Sequence, residues 1–262
     1  MRNLRLIARL DVKAPNLVKG IQFEGLKKLG DPNEFARKYY EQGIDEIFYA
    51  DVVASLYERN SLLDIIKKTT QDIFVPITVG GGLRSVDDVT AALRAGADKV
   101  SINTAAIKNS DIISKVARRF GSQCMVASIQ AKRNDSNWEA YYDNGRERSG
   151  IDVIEWAKKL ELLGAGEILL TSVDREGTGK GFDIELIKAV TDVVTIPVIA
   201  GGGMGNMEDL KNVVDETSVD ALAMAHVLHY DHLNVPEIRN YCTNIGIPVR
   251  KVERAVVNKG IE

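Results

Sequence analysis

Cysteine, tryptophan and histidine are scarce in this 262-residue chain, at two, two and three copies. Cys124 and Cys242 stand far apart with no metal-ligand spacing, which argues against a disulfide framework and suits buried, inert thiols in a reducing compartment. No apolar run approaches the roughly 18 residues of a membrane-spanning helix. No secretory leader is read ahead of Met1-Arg2-Asn3, so the expected location is the cytoplasm, with no membrane partner. Basic charge is not in excess: 34 Lys and Arg against 37 Asp and Glu leave a net charge of -3, which points to small-molecule or protein partners and not to nucleic acid. His226, His229 and His232 follow an i, i+3, i+6 spacing that a metal site can use. A surface helix carrying scattered histidines, with only His226 near a functional face, is the plainer reading, and no metal or other cofactor is expected. Trp138 and Trp156 read as packing residues.

What the chain does have is glycine in runs. Ile77-Thr78-Val79 breaks into Gly80-Gly81-Gly82, and Pro197-Val198-Ile199-Ala200 breaks into Gly201-Gly202-Gly203, an interval of 121 residues. Glycines at a strand end let backbone N–H groups approach an anion with no Cβ in the way, so each run is a candidate phosphate loop; each also fits a tight strand-to-helix turn. The interval recurs between Ile44-Asp45-Glu46-Ile47 and Ala165-Gly166-Glu167-Ile168, and between Asp98-Lys99-Val100-Ser101 and Val219-Asp220-Ala221-Leu222. Near the start it shortens by two, laying Ala8-Arg9-Leu10-Asp11-Val12-Lys13 over Ala127-Ser128-Ile129-Gln130-Ala131-Lys132, so that Asp11 faces Gln130.

Apolar, strand-like runs fall at Leu6–Leu10, Glu46–Ala50, Ile77–Val79, Lys99–Ile102, Met125–Ile129, Ile168–Thr171, Val198–Ala200 and Ala221–Ala223. Segments of helical period separate most of them: Asn33–Gln42, Ser61–Thr70, Val86–Ala95, Ser110–Phe120, Ile151–Leu163, Glu185–Val190 and Met207–Val214. Alternation in two similar halves predicts an α/β fold: a single (β/α)8 barrel domain over 1–262, with half-barrels at about 1–120 and 121–240. An open doubly wound sheet would alternate too, without needing matched spacing. Lys13–Gly30 and Lys132–Gly150 are long insertions, each after the first strand of its half, and Asn134–Asn137 and Asp143–Gly145 look like turns of a small hairpin. The tail after Val235 reads as a final helix and an extended end, with 251–262 disordered.

Barrel chemistry sits at the C-terminal ends of the strands. Asp11, Lys19, Asp51, Gly81, Gly82, Asn103, Thr104, Gln130, Thr171, Asp174, Glu176, Gly177, Gly202 and Gly203 collect there. Asp11, near Lys19, is a candidate general acid or base or else a lysine-paired structural carboxylate. Asn103-Thr104 opens a helix, either as a phosphate site or as simple capping. Asp51 and Asp174 end strands and either one is also a loop cap. Two phosphate loops half a barrel apart imply a long phosphorylated small-molecule substrate with a phosphate at each end.

The runs Leu10-Asp11-Val12-Lys13, Val18-Lys19-Gly20, Thr78-Val79-Gly80-Gly81-Gly82, the stretch from Ala97 to Ala106 and the stretch from Gly164 to Ser172 resemble the cyclase subunit of imidazole glycerol phosphate synthase, over nearly the whole chain. That family is a (β/α)8 barrel docking a glutaminase subunit, HisH-like, on its N-terminal face as a heterodimer. Ammonia crosses the barrel and reacts at the far mouth with a doubly phosphorylated ribonucleotide. By resemblance, Arg5, Glu46, Lys99 and Glu167 form an ammonia gate, Asp98 faces the glutaminase, Asp11 is one catalytic aspartate and Lys19 contacts substrate. Taken alone, the four gate residues read as a solvated barrel bottom.

Apart from Arg9, the departures fall in the second half. Gln130 stands where the family has its second catalytic aspartate, and an amide has no accessible proton equilibrium. Glu176 replaces a shorter aspartate, Gly201 a serine, Ala225 a phosphate-holding serine, and Arg9 a cysteine; Arg9 faces the barrel interior if the first strand keeps alternating, or else outward. These departures lead to the expectation of a paralogue that pairs with a glutaminase and supplies ammonia for amidination of a bacterial surface or flagellar sugar, either at its own mouth or through a third, sugar-amidotransferase protein docked there. The competing expectation is the histidine-biosynthesis cyclase, with Glu176 or another carboxylate taking over proton transfer.

Overall fold

Strands of period two whose alternate residues are both apolar must be covered on both faces, and only parallel strands with returning helices provide that cover. The computed structural model describes residues 3–54, 62–135 and 137–252. In it β1 (Arg5–Lys13), β4 (Glu46–Asp51), β5 (Ile77–Gly80), β6 (Lys99–Ile102), β7 (Met125–Asn134), β10 (Glu167–Ser172), β11 (Val198–Gly201) and β12 (Ala221–Met224) pair in parallel in that order. β12 returns to β1 through Arg5↔Ala221, which closes the (β/α)8 barrel. All eight predicted strands are present, each within a few residues of its predicted bounds.

The long insertions are antiparallel hairpins. β2 (Asn16–Ile21) and β3 (Glu24–Gly30) extend from β1, and β8 (Asn137–Tyr142) and β9 (Glu147–Asp152) extend from β7. Turn chemistry locates the second hairpin: Asp143, Asn144 and Gly145 take φ of 48°, 60° and 75°, tolerated by Asp, Asn and Gly. Ser136, in the other predicted turn, lies outside the described residues. The first insertion carries no such turn signature, because its tip is Gln22-Phe23, both at positive φ.

Helices lie outside the strands: α1 (Pro32–Glu41), α2 (Leu63–Thr69), α3 (Val86–Arg94), α4 (Thr104–Lys108), α5 (Asp111–Phe120), α6 (Val153–Leu162), α7 (Ile184–Thr191), α8 (Met207–Glu216), α9 (His226–His229) and α10 (Val235–Asn244). Their start signals repeat with the halves. Asp31 and Asp152 cap α1 and α6, and the boxes Ser85/Asp88 and Asn206/Asp209 cap α3 and α8, all at the 121-residue interval. One alignment needs correcting. Asp98 accepts from Ile77 N–H at 2.8 Å and Asp220 from Val198 N–H at 3.0 Å, so the true counterpart of Asp98 is Asp220, one residue beyond the sequence match.

On β1, Leu6, Ala8, Leu10 and Val12 pack outward into the main core under the helices. Ile7 faces the axis with Phe48, Val126, Leu169, Ile199, Ala221 and Ala223, a second apolar cluster inside the barrel. Trp156 is buried, as a packing residue should be, while Trp138 also donates from Nε1 to Asp183. The histidine expectation is corrected. α9 is a single turn, and His229 is buried with Nδ1 2.7 Å from the Tyr39 hydroxyl. Burial and the nearby Lys19 push its imidazole down to about 3, so it is a neutral packing residue. The expected disorder of 251–262 falls almost wholly outside the described residues. No described helix is long and apolar enough to cross a membrane.

Candidate active site

Three levels stack along the barrel axis. At the N-terminal end, Arg5 Nη1 lies 2.6 Å from Glu46 Oε1 and 2.9 Å from Glu167 Oε1. Lys99 Nζ lies 3.1 Å from the other oxygen of each. The four side chains thus form a closed ring of alternating charge, not a solvated bottom. Burial opposes the Arg5 charge, but Glu167 and Glu46 outweigh it and raise its pKa. Asp98 is exposed at the same end, engaged by the Ile77 N–H.

Above the ring comes the apolar cluster containing Ile7, Phe48 and Leu169, and above that a buried polar cluster built on the next inward residues of β1. Arg9 faces inward: its Nε donates to Asp11 Oδ1 at 2.9 Å, its Nη1 to Thr171 Oγ1 at 3.2 Å, and its guanidinium lies 5.3 Å from the centre of the Phe23 ring. Lys19, carried on the β2 arm, donates to Asp11 Oδ2 at 3.0 Å and to Glu176 Oε1. Two cations and two carboxylates therefore balance with almost no exposure. Alternation along Arg5, Ile7, Arg9 and Asp11 contained the signal for the inward Arg9, since residues two apart share a strand face.

Burial alone would raise the Asp11 pKa, but Arg9 and Lys19 prevail and hold it down to about 2. A carboxyl with a depressed folded-state pKa adds stability above its ordinary value, and that stability is lost as pH falls toward the folded value. Asp11→Asn should therefore cost most at neutral pH, with the gap to the native protein narrowing by roughly 2 kcal/mol between about pH 5 and pH 2 in urea unfolding. A pH-independent gap would mean that Asp11 is not held this way.

At the C-terminal end a cavity of about 300 Å3 opens. Gly80, Gly81 and Gly82 line it together with Asp51, Asn103, Thr104, Gln130, Thr171 and the hairpin residues Asp143 and Asn144, while Arg9, Phe48 and Leu169 meet it at depth. The loop needs glycine: Gly81 has φ of +90°, and a Cβ there would stand 2.2 Å from the Asp51 carbonyl oxygen. Asn103 and Thr104 do not act as side-chain caps. Asn103 Nδ2 donates to the Tyr141 carbonyl, and Thr104 Oγ1 accepts from Asp143 N–H at 3.1 Å, so both brace the second hairpin. Gln130 Oε1 accepts from Gly145 N–H at 2.8 Å and holds the same hairpin turn.

The remaining predicted residues lie elsewhere on this face. Gly177 packs against the Gly20 carbonyl, Gly202 against Ser172 and Glu176, and Gly203 accepts at its carbonyl from Gly181 N–H; none of the three lines the cavity. Asp51 Oδ1 accepts from Val53 N–H and Asp174 Oδ2 from Arg133 N–H, the loop-capping role. Among the described residues no group of three or more His, Cys, Asp or Glu side chains is arranged for a metal ion.

With this geometry in hand, the relatives are informative. The family model described as "Histidine biosynthesis protein" matches residues 5–234. The imidazole glycerol phosphate synthase subunit HisF of Legionella pneumophila is 62% identical over 210 residues, covering 80% of this chain and 99% of the relative. The protein of the same name from Dehalococcoides mccartyi strain BAV1 is 46% identical over 250 residues, and that from Trichormus variabilis 44% over 254, each covering 95% of this chain and 99% of the relative. A barrel with its charged ring, glycine loop and mouth cavity, matched to such relatives over most of its length, belongs to the histidine biosynthesis protein family, on its HisF cyclase-subunit branch.

Proposed function

We propose that this chain is the cyclase-type subunit of an imidazole glycerol phosphate synthase: a lyase subunit in a glutamine amidotransferase complex. It takes ammonia from a glutaminase subunit docked at the N-terminal end and joins it to the doubly phosphorylated ribulosyl-formimino-carboxamide ribonucleotide at the mouth. The products are imidazole glycerol phosphate and aminoimidazole carboxamide ribonucleotide. The observation that carries this reading is the closed Arg5–Glu46–Lys99–Glu167 ring lying in line with an apolar cluster and the cavity. A small neutral amine passes an apolar stretch that excludes its protonated form, because burying an unpaired charge is costly. The ring stops water until an ion pair parts. At the mouth, the Gly81–Gly82 loop offers N–H groups to one phosphate and the Gly202–Gly203 loop to the other. Asp11, held ionised, serves as an anion that orients and accepts protons. Residues 1–262 act in this reading as one barrel domain in the cytoplasm.

Gln130 favours a second reading, in which the barrel conducts ammonia to a different acceptor. Its amide cannot take over a carboxylate's proton exchange, and its oxygen is already engaged by Gly145. The surface-sugar acceptor inferred from the sequence finds no counterpart in the relatives' names, so the histidine-pathway reading takes precedence.

The test is turnover of the doubly phosphorylated ribonucleotide with saturating ammonium salt. The native protein should turn over at an ordinary enzyme rate, and Gln130→Asp should change this by less than about tenfold, roughly 1.4 kcal/mol. An inert native protein with an active Gln130→Asp variant would establish the second reading instead. In complex with the glutaminase, Lys99→Met leaves Glu46 and Glu167 facing Arg5 alone. Glutamine-dependent turnover should fall about tenfold while ammonium-dependent turnover holds; equal losses with both nitrogen sources would reject the ring as a gate.

A further inference from the structure

Proton exchange at the mouth is served by a carboxylate that lines the cavity and is not tied into an ion cluster. Asp11 is paired with Arg9 and Lys19, and Glu176 with Lys19. Two carboxylates line the cavity itself. Asp51 is engaged through Oδ1 by Val53 N–H. Asp143, at the tip of the second hairpin, is different: its Oδ1 is buried with no hydrogen-bond partner, and its Oδ2 lies 3.7 Å from Lys108 Nζ.

Asp143 is not isolated in this respect. Of the six buried side-chain polar atoms without partners among the described residues, four belong to residues lining this cavity: Ser101 Oγ, Asn103 Oδ1, Asp143 Oδ1 and Asn144 Nδ2. Buried polar groups are satisfied in nearly all native proteins, so a cluster of unmet ones marks where a polar ligand completes the hydrogen bonding. The turn that presents Asp143 is held at three points. Gly145 N–H donates to Gln130 Oε1, Asp143 N–H donates to Thr104 Oγ1, and the Tyr141 carbonyl accepts from Asn103 Nδ2. Gln130 thus stands at the foot of the hairpin whose tip carries a carboxylate.

We propose that Asp143 is a second catalytic carboxylate of the mouth, beside Asp11, and Gln130 its positioning residue, the amide having exchanged direct proton transfer for a grip on the turn. This rests on the cyclase reading above. In the addition step, the ammonia lone pair forms the C–N bond to a ligand carbonyl carbon and the C=O π pair moves to oxygen. Asp143 takes one proton from the new ammonium centre. The resulting carboxylic acid returns that proton to the alkoxide oxygen, which gives the neutral carbinolamine and restores the carboxylate. A second such transfer from nitrogen to the hydroxyl lets it leave as water while the nitrogen lone pair forms the C=N bond.

Asp143→Asn keeps the side-chain shape and a residue type that tolerates positive φ. With ammonium salt and the doubly phosphorylated ribonucleotide, kcat should fall by about 10² to 10⁴, with KM little changed and the thermal midpoint held, because only the proton transfer is lost. Adding Gln130→Asp to Asp143→Asn should recover much of the rate, since a carboxylate then stands on β7 itself. An Asp143→Asn variant as fast as the native protein overturns the proposal while leaving the cyclase reading intact. A double variant as slow as Asp143→Asn also overturns it, because a carboxylate at 130 would bypass a merely catalytic loss and would not relieve a structural one. A native protein inert with ammonium overturns both the cyclase reading and this role.

Discussion

Lys19→Met lowers the stability of the protein by about 3–5 kcal/mol, the loss typical when one partner is removed from a buried ion pair. Lys19 is 2% exposed, and its ammonium is shared between Asp11 and Glu176. Burial alone would strip its proton, yet the two carboxylates raise its pKa and keep it charged. Without it, two buried carboxylates face Arg9 alone. At roughly 2–4 °C per kcal/mol for a chain of this size, the thermal midpoint should drop by about 10 °C. The double variant Lys19→Met/Glu176→Met removes one charge of each sign and leaves the Arg9–Asp11 pair matched, so it should be more stable than Lys19→Met alone. If the double variant loses the sum of both single losses, the cluster is not coupled and the account fails. Because Lys19 sits on the hairpin arm beside Phe23, the same variant should raise protease sensitivity at that arm.

Gly81→Ala should abolish useful ligand binding, weakening affinity for the doubly phosphorylated ribonucleotide by at least about a hundredfold, or roughly 2.7 kcal/mol in calorimetry. Two effects add. The backbone at φ of +90° is strained for any residue with a Cβ, at about 1–3 kcal/mol. The new methyl would also stand 2.2 Å from the Asp51 carbonyl, backbone against backbone, so relief requires moving the end of β4 and the cavity wall with it. Gly150→Ala is the control: φ there is +72° but nothing lies within 4 Å, so it should carry only the backbone cost and leave binding alone. Equal affinity in the Gly81→Ala protein would show that this loop is only a turn.

The barrel itself was legible in the chain. Strand runs, helical segments and a recurring 121-residue interval needed no tertiary information, because each element's type follows from local period and each half repeats the same plan. The interval even extends to the helix caps, Asp31 with Asp152 and Ser85 with Asn206. It slipped at Asp98, because matching by residue type does not register a one-residue insertion that the hydrogen bond to the preceding strand does. The ring of Arg5, Glu46, Lys99 and Glu167 was found by resemblance, whereas its closure depends on distances across the barrel.

What the sequence alone determined is which residues stand at each strand end and on which strand face: the two glycine loops, Asp11 opposite Gln130, the charged bottom and the two insertions. Only the tertiary structure decided their partners. It turned Arg9 inward to bind Asp11, bent Glu176 onto Lys19, and set Gln130 to holding the hairpin that carries Asp143. The reason is physical: period and turn chemistry act over a few residues, while a buried charge takes its partner from whatever the closed barrel brings beside it, as Lys19 takes Glu176 from 157 positions away.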